Sequence, residues 1–319
     1  MPLAWILHDG KPGMVSQALG LAEAVGFPFI EKRLTIRFPW TYLPPRLWFF
    51  PFAASHHRPD LSPPWPQLVI GCGRNAAMPA LAIRRASGGH TVAVQIQDPG
   101  VGEFDLSVVP EHDGLRGPRV IVTRGAVHRV TPSRLAAETR CFPTLAAMSR
   151  PILSVLIGGS NKAYRLTLRR VREIADAVGE VLRNQGGSAL LTPSRRTGAA
   201  GIALLRNRLD GLPAVIWDGA GENPYFAFLA LADAFLVTAD SVSMISEAAA
   251  TGKPVHILGL DGGNAKFVRF HAVMRAAGVT RPFTGEIESW SYPIPDDTAR
   301  AGAAVRALVL SRIEQPAPA

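Results

Sequence analysis

Ser241, Ser243, Ser246 and Glu247 crowd the start of one segment, "VTADSVSMISEAAATGKPV" (residues 237–255), which reads as a buried strand, a polar turn and a helix. Ser241 and Ser243 stand where a helix start offers hydroxyl and amide donors to an anion at the positive end of its dipole. Asp240 is placed to cap that helix by accepting its first amides. Glu247 follows about one and a half turns on, with a carboxylate able to accept the pair of hydrogen bonds that a ribose diol supplies. An exposed helical glutamate is the plain alternative, but the small residues of "AAATGKPV" predict close packing around it.

Three other loops carry donors of the same kind. In "IGGSNKAYR", Gly158 and Gly159 let the backbone approach a ligand, while Ser160, Lys162 and Arg165 offer donors to an oxyanion. Alone, the double glycine fits a tight strand-to-helix turn equally well. "TPSRRTG" places Ser194, Arg195 and Arg196 after the next strand, where planar guanidinium forks suit a diphosphate. A solvated turn capped by Thr197 would explain the same letters. In "WDGAGENPYFAFLA", Trp217 can flank a base, and Asn223-Pro224 can contact a ligand or simply cap a helix. Each loop is ambiguous by itself, and the four converge on a nucleoside diphosphate only if they lie on one side of one sheet.

The elements that would align them are legible as a rhythm. "LAWILH", "QLVIGCG", "TVAVQIQ", "DLSVVP" and "RVIVTR" are short β-rich runs, and the first two are followed by the helical segments "VSQALGLAEAV" and "AAMPALAIRRA". Strands apolar throughout belong to a parallel sheet covered on both faces. The rhythm restarts near position 149 with "ILSVLIGGS", a long helix, "SALLTPS", "AVIWDG", "AFLVTA" and "PVHILGL". The expected fold is therefore α/β, two Rossmann-like doubly wound domains spanning 1–149 and 150–319, with a last helix near 297–313 able to pack back on the first domain. In such sheets ligands bind beyond the carboxyl ends of the strands, where all four loops would fall. "RFPWTYLPPRLWFFPF", residues 37–52, breaks the rhythm: its aromatics, prolines and arginines suit either a membrane interface or a loop tucked on its own domain.

The 319 residues allow two domains with real cores. The 34 basic against 25 acidic residues leave +9, spread along the chain, which suits anionic ligands or an anionic surface. No basic stripe interleaved with stacking aromatics points to nucleic acid. Cys72 and Cys141 stand far apart without metal-ligand spacing, so neither a disulfide framework nor a zinc site is expected and a cytoplasmic setting is. "MPLAWILHDG" lacks a basic leader, and no apolar stretch reaches the roughly 20 residues that span a bilayer.

The blocks "DGKPGMVSQALGLAEA", "LVIGCGRNAAMPAL", "VQIQDPG", "FDLSVVPEHD", "LIGGS", "SRRTG", "WDGAGENPY" and "VTADSVSMISEAAATGKPV" occur in this order. In this the chain resembles, over essentially its whole length, the bacterial branch of the mitochondrial-fission ELM-type family of glycosyltransferase-like proteins. The resemblance implies the GT-B architecture, two Rossmann-like domains facing a cleft, with the first on the acceptor side and the second on the nucleotide-sugar side. The second domain is also similar to that of the peptidoglycan N-acetylglucosaminyltransferase, which implies Gly159 and Ser160 beside the diphosphate of a UDP-type sugar donor and Glu247 beside its ribose. The leading reading is transfer to a cell-envelope or lipid-linked acceptor with no tightly bound cofactor or metal; the aromatic segment of the first domain would approach that acceptor, and the basic balance suits a peripheral place on an anionic inner leaflet. No Asp-x-Asp is seen at a strand end, so Arg195, Arg196 and the helix dipoles would steady the departing diphosphate.

On the acceptor side the matching loop is "HDGKPGMVSQ", with Gly10, Lys11, Gly13 and Gln17 as contacts. Related sequences often carry His after the second glycine, and this chain carries Met14, which cannot act as a base. An inverting reaction would then draw its base from His8, Asp9, Asp98 or the Glu111, His112 and Asp113 group, of which Asp9 and Asp98 are preferred. Asp9 could equally cap the following turn, and Asp98 could start one. Plant members of the family are linked to recruiting division machinery, so a non-catalytic adaptor or nucleotide sensor is the second reading and a nucleotide-sugar epimerase the third.

Overall fold

The computed structural model describes residues 3–56, 58–98 and 100–314. The chain divides into two compact units, Met1–Arg129 with Asp296–Ala319, and Val130–Pro295.

The first unit runs β1 (Ala4–His8), α1 (Pro12–Val25), β2 (Phe29–Arg33), β3 (Leu68–Cys72), α2 (Arg74–Ala86), β4 (Val92–Ile96), β5 (Leu106–Pro110) and β6 (Val120–Thr123). All six strands are parallel, in the order β2-β1-β3-β4-β5-β6. Because successive side chains leave a strand on opposite faces, Ala4 and Ile6 join the core with Leu21 and Val25 of α1, while Trp5 and Leu7 join Leu81 and Ile83 of α2 on the other face. Helix α1 opens on Pro12, whose missing N–H costs nothing there, and stops at Gly26, whose φ of 74° lets its amide close on Ala22 O.

The second unit holds α3 (Pro132–Cys141), α4 (Pro143–Ala146), β7 (Ile152–Ile157), β8 (Tyr164–Arg165), α5 (Leu168–Gln185), β9 (Ser188–Pro193), α6 (Gly198–Arg208), β10 (Ala214–Ile216), α7 (Tyr225–Leu231), β11 (Ala234–Thr238), α8 (Val242–Ala249), β12 (Val255–Leu258), β13 (Asp261–Gly262), α9 (Ala265–Ala276) and β14 (Thr280–Pro282). Its main sheet is parallel in the order β10-β9-β7-β11-β12-β14, and β8 pairs with β13 antiparallel. Ile174, Val178 and Leu182 of α5 pack at helical spacing on one face, and Ile245 of α8 with Phe270 and Met274 of α9 cover the other.

The division falls between Arg129 and Val130 rather than at 149/150. The reason is packing: α3 lies against α7, Leu135 and Val130 join the second core, and Arg134 sits 5.1 Å from the Phe226 ring centroid. The last helix, α10 (Asp297–Glu314), buries Ala301, Val305 and Val309 in the core of the first unit alongside α1. Two strands of the six-stranded sheets escape the sequence pattern, as do the two-residue strands β8 and β13. β2 ("FIEKR") and β14 ("TRP") sit at sheet edges, where exposure removes the apolar signature of a buried strand. No helix of the described residues is long and apolar enough to cross a membrane.

One buried carboxylate ties α10 to the first sheet. Asp105 accepts from Arg84 (Nε, 2.8 Å), the Ala93 amide (2.9 Å) and Arg312 of α10 (Nη2, 3.2 Å). Burial alone would raise its pKa, but Arg84, the Ala93 amide and Arg312 prevail and hold it below the ordinary 3.8. A native value below the unfolded one contributes stability that is present above the unfolded pKa and is lost as pH falls through the native value. Asp105→Asn should therefore cost about 3 kcal/mol at neutral pH, and the gap from the wild type should narrow as pH drops below about 4. Thermal melts of both proteins from pH 7 to pH 3 measure it, and a constant gap would contradict the ion-pair account.

Candidate functional site

The second sheet begins at β7, adds β9 and β10 on one side, then crosses to add β11 and β12 on the other. The switch point lies between β7 and β11, and in sheets of this kind ligands bind at the carboxyl edge beside such a point. The loops after these two strands carry Gly158-Gly159 and Asp240-Ser241, and the loops after β9 and β10 carry Ser194 to Thr197 and Trp217 to Pro224. All four polar loops thus share one edge of one sheet.

Asp240 joins three of them. Its carboxylate, wholly buried, accepts from the Gly159 amide (3.0 Å) and the Thr238 hydroxyl (2.7 Å), and meets Arg196 Nη2 at 2.8 Å. Thr238 Oγ1 in turn accepts the Gly158 amide at 2.8 Å. Arg196 Nη1 reaches back to the Gly159 carbonyl at 2.8 Å, and Thr197 Oγ1 and Ser194 Oγ donate to the Gly158 carbonyl. Asn161 arranges the far side of the first loop by accepting the Ala163 and Tyr164 amides at 2.7 and 2.9 Å. Tyr164 lies beside this charge, and burial, then Asp240, raise its phenol pKa.

The geometry changes the role of the double glycine. A Cβ on Gly158 would lie 2.3 Å from Asp240 Oδ1, and one on Gly159 would lie 2.5 Å from the Arg196 backbone. Both residues are glycine so that the protein's own groups can close on them. Their own amides are engaged by Thr238 and Asp240, so the donors this loop can offer a ligand are those of Ser160 and the residues after it. Two capping assignments also change. Ser241, not Asp240, caps α8 by accepting the Met244 amide at 3.4 Å, and the Thr197 hydroxyl turns back to β7 instead of capping α6. Ser160, Lys162 and Arg195 are exposed beside this network, with Ser160 Oγ accepting the Leu166 amide at 3.0 Å, while Arg196, though partly exposed, turns its guanidinium inward to Asp240 and the Gly159 carbonyl.

A second carboxylate brings in the fourth loop. Glu247 of α8 is 5% exposed, and its Oε2 accepts the Tyr225 phenol at 2.5 Å. Tyr225 opens α7, where Asn223 Oδ1 accepts its amide at 3.1 Å. Burial first, then the Glu247 charge, push that phenol well above its ordinary pKa, so it stays a donor. Trp217 is half-buried, donating to Ala220 O at 3.1 Å and packing beside Val215 and Phe228. Ser243 stands in the first turn of α8, half-buried, and Ser246 Oγ donates to Val242 O at 2.8 Å. Tyr225 is the residue the sequence reading missed; its signal was a hydroxyl-bearing ring directly after Asn-Pro.

In the first unit the switch point lies between β1 and β3, and it holds the "HDGKPG" loop. Asp9 accepts from the Lys11 amide (3.3 Å), the Lys11 ammonium and Asn75 Nδ2 (3.3 Å). His8 is buried: its Nδ1 accepts the Gly10 amide at 3.2 Å, so Nε2 carries the proton and donates to Glu31 at 2.8 Å. Gly10, at φ 77°, leaves room for the Arg33 guanidinium 2.5 Å from where a Cβ would sit. Gln17 is buried, donates to Gly13 O at 3.0 Å and accepts from Gln97 at 3.2 Å. Met14 packs its sulfur against Cys72 Sγ at 3.7 Å. Asp98 accepts the Gly100 amide at 2.7 Å and lines an open hollow of about 380 Å³ with Glu103 and Arg119, away from Asp9's partners. Asp113 lies 3.6 Å from the buried His112, and Glu111 pairs loosely with Arg116. Among the described residues no group of three or more His, Cys, Asp or Glu side chains is arranged to hold a metal ion.

These two parallel-sheet units define an α/β fold of the GT-B-like class. Solved structures share it: UDP-GlcNAc 2-epimerase of Methanocaldococcus jannaschii in complex with UDP-GlcNAc and UDP (TM-score 0.57, 13% identity, 98% of this chain and 100% of that one) and Arabidopsis thaliana UGT89C1 complexed with UDP (TM-score 0.53, 12% identity, 98% and 95%). At such identities the likeness is one of fold. Sequence supplies the family: the mitochondrial fission ELM1 family matches residues 12–309, and the chain belongs to it. Mitochondrial fission protein ELM1 of Arabidopsis thaliana is 35% identical, with 77% of this chain and 65% of that protein covered, so the match spans under two thirds of the plant protein. RP120 of Rickettsia prowazekii, an uncharacterized protein, is 24% identical over 79% of this chain and 82% of its own length.

Proposed function

We propose that the second unit binds a nucleoside diphosphate sugar of the UDP type and that the protein is a glycosyltransferase passing the sugar to a cell-envelope acceptor held by the first unit. The supporting observation is the pair of buried carboxylates, Asp240 and Glu247, that join four polar loops at one sheet edge. Asp240 sets Gly159 and Arg196 in place, and the exposed Ser160, Lys162 and Arg195, the held Arg196 and the start of α8 with Ser241 and Ser243 receive the diphosphate. Ser194 braces that loop from below. Glu247 takes the ribose hydroxyls, with Trp217 and Asn223 on the base side. The arginines and the α8 dipole stabilise charge on the departing diphosphate, so the reaction needs no bound metal. That structural neighbours were solved with UDP or UDP-GlcNAc agrees with this donor class.

Gly10, Lys11, Gly13 and Gln17 line the acceptor side, with Asp9 or Asp98 as the base. A second reading, an adaptor that senses nucleotide without turnover, is favoured by one observation: Asp9 and both ring nitrogens of His8 already have partners within the protein. Incubation with labelled UDP-sugars and envelope lipid extract separates the readings. Label moving into lipid is the expected result, label epimerised without an acceptor would support the epimerase, and donor that binds yet stays intact with every acceptor would support the adaptor.

A further inference from the structure

Between Glu31 and Asp60 the chain has no acidic residue but five basic ones, Lys32, Arg33, Arg37, Arg46 and Arg58. The central part, 34–56, is a built loop rather than a slack one. An isolated bridge between Ile36 and Ser55, with Arg37 N on Ala54 O and His56 N on Thr35 O, closes its base. Buried Trp40 and Trp48 pin its interior, donating to Phe49 O at 2.7 Å and Leu43 O at 3.0 Å, and Arg74 at the start of α2 also donates to Leu43 O. On this base stand Phe38, Tyr42 and Phe50, 77 to 82% exposed, with Leu47 and Phe49 also on the surface. Phe50 is held at φ 45°, a conformation costly to a bulky residue.

We propose that this loop docks the first unit onto an anionic lipid bilayer, the aromatic rings entering the headgroup boundary and Arg37 and Arg46 meeting lipid phosphates. A rigid frame that fixes large rings in water is stable only at a cost that burial elsewhere offsets, and an exposed aromatic and basic surface of this kind fits a membrane interface. The charge selects the occupant. A second copy in a two-fold contact would set the exposed Arg37 and Arg46 against the same residues of its partner, whereas an anionic leaflet attracts both. Phe38 meets Tyr42 and Phe50 meets Phe49 edge-on, yet rings left this exposed do not form the desolvated centre of a protein hot spot and suit the headgroup boundary instead. The loop leaves the carboxyl end of β2, the edge that also carries Gly10 and Lys11, so docking would present that edge to the lipid. This inference is independent of sugar transfer.

Flotation with vesicles, without nucleotide, tests it. The wild type should float with phosphatidylcholine vesicles containing phosphatidylglycerol and not with phosphatidylcholine alone. Phe38→Ser/Tyr42→Ser/Phe50→Ser, at positions too exposed to matter for folding, should lower partitioning at least about tenfold, and Arg37→Glu/Arg46→Glu should abolish the preference for anionic vesicles. Circular dichroism melts confirm that both variants are folded. Wild type that stays unbound at low salt, or a triple variant that floats equally well, overturns the proposal. So does light scattering that shows a wild-type dimer, a monomeric triple variant and no vesicle binding.

Discussion

Glu247→Ala should lose nearly all of the thermal stabilisation that UDP gives the wild type. A hydrogen bond to a charged group contributes about 1.5–3 kcal/mol, so removing a carboxylate that grips the ribose diol weakens binding on the order of a hundredfold. Nucleotide at a hundred times the wild-type Kd stabilises the native state by about 2.7 kcal/mol, and after a hundredfold loss of affinity the same concentration gives about 0.4 kcal/mol. The variant also strands the Tyr225 phenol, now satisfied by Glu247 at 2.5 Å, so its nucleotide-free melting temperature should fall. Two companions separate fold from ligand. Tyr225→Phe keeps the carboxylate and should keep the UDP shift, and Glu247→Gln keeps an acceptor for the phenol and should fold normally with a reduced shift. Equal UDP shifts in wild type and Glu247→Ala would remove Glu247 from the site.

Gly158→Ala should destabilise the second unit severely, and Asp240→Ala should relieve part of that damage. The new methyl would sit 2.3 Å from Asp240 Oδ1 and 2.4 Å from Oδ2, so the carboxylate must leave its place. Expelling it strands the Gly159 amide and the Thr238 hydroxyl, both buried, at about 1–3 kcal/mol each. Arg196 is partly exposed and can turn to water, so its loss adds little. Each single variant should therefore cost about 2–5 kcal/mol, and the double variant clearly less than the sum, because the clashing partner is gone. Urea unfolding of the four proteins gives the coupling, and additive costs would show that Gly158 and Asp240 are not opposed as described.

How far the letters alone reach differs between the frame and the site. Central strands such as "QLVIGC" and "ILSVLI" are apolar throughout because both faces are covered, so they and the edge they share are readable. β2 and β14 are not, since an edge strand with one open side carries charge and shows no period. The division at Arg129 was hidden because α3 and α4 declare their allegiance only through contacts with α7. At the site, residue types were legible and their partners were not. Asp240 reads locally as a helix cap, yet Gly159 and Arg196, far along the chain, claim its carboxylate. The double glycine reads as an anion cradle because close approach of any group, ligand or protein, requires the same absent Cβ. Met14 was correctly legible as a side chain without a base, and its contact with Cys72 is a packing role.

The central claim, that the carboxyl edge of the second sheet holds a nucleoside diphosphate, is tested most directly by a crystal structure with UDP. The account expects the phosphates within hydrogen-bond reach of Ser160 and of Arg195 or Arg196, and both ribose hydroxyls on Glu247. UDP seated elsewhere on the chain, or a ribose that leaves Glu247 bound to Tyr225 and out of its reach, would contradict it.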